Sequence, residues 1–433
     1  MTTEPPAPFE DAAGEVERPG RLGVLSRLAV DITPLRASKP FRRLWFGTGI
    51  SAIGSQITTV AIPFQVYDLT GSTLMVGLLA IAGLIPLLTV PLYAGAVADA
   101  VDRRRLLLLS DVALALVTIG LIANAMLPDP SVPALFVAEA LSTAAYAFQR
   151  PARNALTPRL IGEDQLTAAI AIEDVVFNLA RVGGPAVAGV LIATIGIAAT
   201  YAVDLATFGA SLLAIWLLPR MPPSHDAERA SWRTVVEGFR YVRKQPLLLG
   251  IFVVDTNAMV FGMPSALFPA VAEKLGGGPQ TLGLMYAAPY GGALVASVAS
   301  GWTTRVRRQG LGIFVAAGLW GVAVAAFGFA ETVWLALAML AFAGAADFVS
   351  AVLRSTILLS VTPDNLRGRV SGIELAQVAS APALGNLEAG ILASLTSLRF
   401  SIVSGGVACV AGTVVCALAF PALLRYDARR RRE

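Results

Sequence analysis

The stretch "GAVADAVDRRRLLLL", residues 95–109, sets Asp99, Asp102, Arg103, Arg104 and Arg105 within seven residues of a chain that is only 14% charged. Apolar sequence flanks this knot on both sides, so it reads as a turn at a membrane surface. The rest of the chain has the same character: 433 residues, 56% of them hydrophobic, with a mean hydropathy of +0.69. That is too apolar for a surface that must face water.

A helix crossing about 30 Å of hydrocarbon needs roughly 20 apolar residues. Splitting the chain at charged, Pro and Gly punctuation gives spans at 41–67, 73–97, 105–127, 133–157, 166–196 and 198–218, then 247–271, 281–303, 309–330, 332–359, 370–396 and 400–424. Short strands of alternating polarity, as a barrel requires, do not occur. The expected fold is an all-α integral membrane protein of twelve transmembrane helices.

Lys and Arg in short loops stay on the cytoplasmic side. If the amino terminus is inside, the outer loops hold only Lys274 and Arg399, and Arg181 and Arg354 fall within spans. All but these four of the 33 basic residues then sit at inner ends or tails. Both termini are therefore expected in the cytoplasm, and Arg103 to Arg105 hold their turn inside.

The tail 1–40 opens with a Glu- and Pro-rich stretch expected to be disordered; "RLGVLSRLAVDITPLR", 21–36, either lies on the membrane or is an unstructured leader. Between the half at 41–218 and the half at 247–424 runs a linker, 219–246. Its "ASWRTVVEGFRYVRKQP" repeats Trp232, Val235, Val236 and Phe239 at helical spacing among basic residues, the pattern of an interfacial helix. Residues 425–433 form a basic tail.

The two halves echo each other. "GLLAIAGLIPLL" from Gly77 is similar to "GLMYAAPYGGAL" from Gly283, and Gly95 pairs with Gly301 at the same offset of 206. "GEDQLTAAIAIED" from Gly162 answers "TPDNLRGRVSGIE" from Thr362, matching Asp164 with Asp364 and Leu166 with Leu366. Parallel six-helix repeats point to a transporter whose substrate site lies between them near mid-membrane.

Cys409 and Cys416, seven apart on one apolar span, share a face and cannot easily bridge; they read as packing residues. His225, the single histidine, stands in a polar loop beside Pro222 and Pro223 without the partners a metal site needs.

These residues resemble the major facilitator superfamily. Its loop between the second and third helices carries a Gly, an Asp four residues on and a basic cluster; Gly95, Asp99, Arg103 and Arg104 match, while Ala100 and Asp102 depart from the pattern. The second-half copy is reduced to Gly301, Arg305, Arg307 and Arg308. "GPAVAG", with Gly184, Pro185 and Gly189, looks like the Gly-Pro motif of the family's antiporters. "FRRLWFGTGIS", "VYDLTGSTLMVGL" and "TPDNLRGRVSG" are similar to the branch that includes the bacterial enterobactin exporter and the macrolide and multidrug efflux proteins. The resemblance covers residues 30 to 425. It implies that the 95–105 loop latches the cytoplasmic ends of the halves when the carrier opens outward, with Asp99 at a helix amino terminus and Arg103 paired to an acid. The departure at Asp102 leaves open which aspartate latches.

A carboxylate at bilayer depth costs about 2.5–3.5 kcal/mol even on the lenient insertion scale, and persists where it faces a cavity or partner. Glu139, Asp204, Asp255, Asp347 and Glu388 are such acids, and Asp255 and Asp347 lie deepest in their spans. They are the first candidates for proton binding. Arg181 and Arg354 are candidate charge partners; Arg354 follows Asp347 by two helical turns. Each arginine can equally be a structural counter-ion between helices. Glu139 and Asp204, nearer the outer surface, suit a solvated vestibule or a helix-to-helix bond as well as a proton site. The drug/proton antiporter pattern is incomplete: the first span offers Gln56 rather than an acid, and the fourth has only Arg150 at its inner end.

The resemblance places spans 1, 4, 7 and 10 around a central cavity. Gln56, Thr59, Tyr146, Asn257, Met259 and Phe261 are the polar, aromatic and soft side chains there. A mixed wall suits an amphipathic organic molecule better than an ion or a sugar. Each aromatic also reads as core or lipid-facing.

The function this supports is proton-coupled export of amphipathic organic compounds, a siderophore-like metabolite or a drug, by a monomer in the bacterial plasma membrane that needs no cofactor. The alternatives on the same fold are a lysophospholipid or lipid flippase and an uptake symporter, the latter disfavoured by the Gly-Pro motif. An integral membrane enzyme would need a nucleophile with its base or a metal cluster. A sensor would need a soluble domain. A primary pump would need a phosphate-cradling loop, and none of these patterns is present.

Overall fold

The computed structural model describes residues 31–90, 97, 101–219 and 232–427. The expectations for residues 1–30, Gly95, Asp99, His225 and residues 428–433 lie outside the described residues.

The first half contributes α1 (Lys39–Thr70), α2 (Thr73–Thr89), α3 (Arg103–Ala125), α4 (Val132–Leu160), α5 (Leu166–Ile195) and α6 (Ile197–Trp216). A linker helix, Trp232–Lys244, follows. The second half contributes α7 (Pro246–Phe261, resumed at Phe268–Lys274), α8 (Gly278–Val298), α9 (Gln309–Phe327), α10 (Val333–Val361), α11 (Asp364–Leu395) and α12 (Leu398–Ala419). Among the described residues no strand occurs, and nine helices combine the length and hydropathy to cross a membrane unaided. Leu395, Leu418 and Trp334, each more than three-quarters exposed, belong to the outward apolar surface that lipid would cover.

Helix starts follow local chemistry. Ser38, Ser72, Thr332 and Ser397 cap α1, α2, α10 and α12 by accepting from backbone N–H groups of the first turn. Gly71 and Gly196 adopt positive φ, 60° and 80°, in the tight turns after α1 and α5.

The sequence predicted one continuous seventh span. Instead, α7 stops at Phe261 and resumes as a single turn at Ser265–Leu267 before Phe268–Lys274. Pro264 lacks an amide hydrogen and forces its predecessor out of the helical region. Side chains replace the lost bonds: Trp320 Nε1 donates to the Gly262 carbonyl at 3.0 Å, and Asn386 Oδ1 accepts from Ser265 Oγ at 2.7 Å and Ala266 N at 2.8 Å. Non-helical backbone at membrane depth is tolerated only where protein satisfies it in this way.

The packing repeats with a shift of six helices. In the first half α1 lies on α5 and α6, α4 on α2 and α3, and α3 on α6; in the second, α7 lies on α11 and α12, α10 on α8 and α9, and α9 on α12. The halves meet through α2 with α11 and through α5 with α8, which are copies of one interface. Both crossings close on glycine. A Cβ on Gly77 would fall 2.7 Å from the Asn386 carbonyl oxygen, and one on Gly390 the same distance from that of Thr73. On the other side a Cβ on Gly283 would overlap the Pro185 carbonyl and fall 2.9 Å from Gly189 N. Small residues let backbones approach where lipid supplies no hydrophobic drive between helices.

These crossings lie on the side away from the chain termini. There one buried cluster runs unbroken through both halves, joining Ile57, Val60 and Val76 to Leu267, Phe268, Met285 and Phe327. On the termini side the core divides. Leu44, Leu107, Leu156 and Ile215 form one cluster in the first half, and Leu248, Ile313, Leu353 and Ile357 a separate one in the second. Among the described residues the molecule is therefore sealed at the far side by one shared core and parted at the termini side into separate ones. The linker helix lies on the termini end of α11, where Arg369 bridges to Glu237 at 2.9 Å.

Candidate functional site

The second half gathers several of its charges at one junction. Asp255 on α7 is buried and ion-paired with Arg354 on α10. Arg354 also reaches Asp347 Oδ1 at 3.9 Å; that aspartate's side chain remains 45% exposed. From α11, Gln377 Nε2 donates to the Phe252 carbonyl at 2.9 Å, Thr256 Oγ1 at 2.9 Å and Asp255 Oδ2 at 3.2 Å. One guanidinium thus serves two carboxylates, one enclosed and one reachable from solvent. Such an arrangement is stable only while the buried partner stays paired.

The first half holds a second cluster that sequence reading missed. Asp111 on α3 is fully buried and accepts from Gln149 Nε2 and Ser211 Oγ, both at 2.6 Å. Glu173 accepts from Thr157 Oγ1 at 2.8 Å. Arg153 on α4 stacks on Phe177 of α5 at 4.1 Å. The fourth helix therefore carries an interior arginine three residues beyond Arg150. Helices α4 and α10 are both 29 residues long, and the shift of 201 that aligns them carries Arg153 onto Arg354 and Glu173 onto Glu374. The repeat at this spacing was the available signal. The same shift puts Asp347 on Tyr146, so the exposed acid belongs to the second half alone.

Other predicted acids stand apart from these clusters. Asp204, buried on α6, accepts from Thr58 Oγ1 of α1 at 2.5 Å. Glu139 lies against Gly83 at the α2–α4 crossing, and Glu388 is half-buried on α11. On the far side Tyr67 Oη donates to Glu273 Oε2 at 2.8 Å, tying the far end of α1 to the far piece of α7.

The charged turn has a local role as well. Asp102 caps α3, accepting from Arg104 N at 2.9 Å and Arg105 N at 3.3 Å. This accounts for the departure from the family pattern at that position. Arg104 donates to the Ile215 carbonyl at 3.1 Å and to that of Trp216, and Arg43 to that of Leu217 at 3.3 Å, clamping the end of α6. Arg103 is buried.

The Gly-Pro motif residues are packing points: Gly184 sits on Gln56 of α1, and Pro185 and Gly189 on α8. Of the predicted cavity residues, Asn257 donates to the Cys409 carbonyl at 2.9 Å, which places it between α7 and α12. Tyr146 packs on the small cluster of Leu114, Ala145 and Phe208, and Thr59 is exposed but bonds its own helix. Phe261 is partly exposed at the α7 break, and the Met259 carbonyl abuts Gly385 of α11. Arg181 pairs with no acid among the described residues and lies 5.9 Å from the Tyr290 ring across the α5–α8 crossing.

Comparison with known proteins fits this geometry. The family model for transmembrane secretion effectors matches residues 29–430. The enterobactin exporter EntS of Citrobacter koseri is 29% identical over 377 residues, covering 87% of this chain and 91% of that one. Among solved structures, a mutant form of the nucleoside transporter NupG superposes with a TM-score of 0.71 at 15% identity, over 89% of this chain and all of that one. A bacterial homologue of the lysosomal transporter Spinster, solved inward-facing and unoccupied, gives 0.70 at 14% identity over 90% and 98%.

Proposed function

From the finding that this chain belongs to the transmembrane secretion effector family of major facilitator transporters, we propose that it is a proton-coupled exporter of amphipathic organic compounds. A siderophore-like metabolite or a drug is the cargo, in keeping with the exporters it resembles. The chain resides in the bacterial plasma membrane as a monomer with both termini in the cytoplasm, so the parted side faces the cytoplasm. The halves at 41–218 and 247–424 rock about the glycine crossings, exposing the cavity to each side in turn.

One observation carries the coupling: Arg354 is shared between buried Asp255 and half-exposed Asp347. A proton arriving on Asp347 cancels its attraction for the guanidinium and leaves Asp255 as its one close carboxylate. Losing that proton restores the contest. A group whose partner depends on protonation biases two states that differ by a few kcal/mol.

The test is proton movement in proteoliposomes driven by a panel of siderophores, macrolides and lipophilic cations. Wild type moves protons with one compound, and Asp347→Asn and Asp255→Asn lose that flux while still reaching the membrane. Undiminished flux in both variants rejects the assignment.

A further inference from the structure

The α5–α8 crossing carries a charge that the fold does not require. At 3.6 residues per turn, Arg181 leaves α5 between the face that packs on α1 through Gly184 and the face that packs on α8 through Pro185 and Gly189. Its side chain therefore points between the halves and away from lipid. Tyr290 occupies the corresponding place on α8, two turns below Gly283 and 42% exposed. The pair sits on the termini side of the glycine contact, with both side chains exposed. Below it, Asn178 and Asp174 continue the exposed stripe on α5, and Leu294 and Ser297 that on α8.

The internal repeat supplies a control. The shift of 206 that maps Gly77 to Gly283 maps Leu84 to Tyr290, and the shift of 201 that maps Gly189 to Gly390 maps Arg181 to Pro382. The twin crossing of α2 with α11 thus closes on the equivalent glycines with apolar Leu84 and Pro382 where α8 and α5 carry Tyr290 and Arg181. Packing is satisfied without an arginine. An exposed guanidinium at membrane depth that makes no ion pair among the described residues carries an uncompensated charge, which an anion would offset.

We propose that Arg181 and Tyr290 form the recognition point for the substrate, which is an aromatic or amphipathic anion bearing a carboxylate or phenolate. The guanidinium presents a planar fork of donors suited to a carboxylate, and the tyrosine a flat face for an adjoining ring. This rests on the export reading above and narrows its cargo to anions, excluding lipophilic cations.

The experiment is equilibrium binding of tritiated 1-naphthylacetate and of its neutral methyl ester to the purified full chain, with no proton gradient. Wild type is expected to bind the acid at least about tenfold more tightly than the ester, as a charge-assisted contact provides. Arg181→Gln removes that preference and leaves the ester's affinity unchanged, Arg181→Lys keeps the preference, and Tyr290→Leu weakens both ligands alike. Equal or tighter binding of the ester by wild type, failure of wild type to bind either, or a preference that survives Arg181→Gln overturns the proposal. Because no proton moves in this assay, undiminished proton flux in both aspartate variants, or no flux in wild type, with an intact acid preference rejects the coupling and spares the anion site.

Discussion

Gly189 on α5 and Gly283 on α8 touch backbone to backbone: a Cβ on Gly283 would fall 2.9 Å from the Gly189 nitrogen. Nothing larger than hydrogen fits there while the far side is sealed. Gly283→Val is therefore expected to prop the far side open without unfolding the chain, and to abolish transport. A cysteine placed at Thr73, beside the twin crossing, then reacts faster with an impermeant thiol reagent added from the far side. Unchanged labelling and transport would show that the crossing is not the hinge.

Tyr67 and Glu273 join the two halves above that crossing at 2.8 Å. A single such bond contributes about 1 kcal/mol, or roughly a fivefold change in the balance of two states. Tyr67→Phe should shift the population toward the far-side-open form by that factor, read as the distance distribution between spin labels on the far ends of α1 and α7. Glu273→Gln, which keeps an acceptor, should shift it less.

Asp255 and Arg354 are buried together, so removing one strands the other. Asp255→Ala is expected to cost about 3–5 kcal/mol, lessened by whatever Asp347 recovers at 3.9 Å. The double change Asp255→Leu with Arg354→Met should restore most of the loss while remaining inactive in transport. Unfolding in detergent measures both, and a double variant no more stable than the single one would contradict the pairing.

Asp102 and Arg104 act within the first half. Asp102→Ala removes a cap and should cost about 1 kcal/mol. Arg104→Ala unclamps the end of α6 and should cost about 1–3 kcal/mol for its lost charged hydrogen bonds. Both appear as lower melting temperatures, with ligand affinity unchanged at temperatures where the chain is folded.

Hydropathy and turn residues were enough to read the helices from the sequence, because every membrane-embedded segment must satisfy its own backbone. The repeat was legible too, down to the offset linking Gly77 with Gly283. The break in α7 was not, since Pro264 also suits an unbroken, kinked helix; Trp320 and Asn386, far off in sequence, stabilise the opened turn. Asp111 escaped notice because it stands near the start of a strongly apolar span, close to the charged turn, and only the fold brings Gln149 and Ser211 to it.

By itself the sequence determined the class of molecule, its helices and its twofold plan, all consequences of local polarity against a 30 Å apolar layer. Tertiary structure alone decided which charges meet. Arg354 found Asp255 from 99 residues away, while Arg181, expected beside an acid, faces Tyr290 across the α5–α8 crossing. Partner choice across a bundle depends on helix rotation and crossing point, and neither is written in the polarity of any one helix.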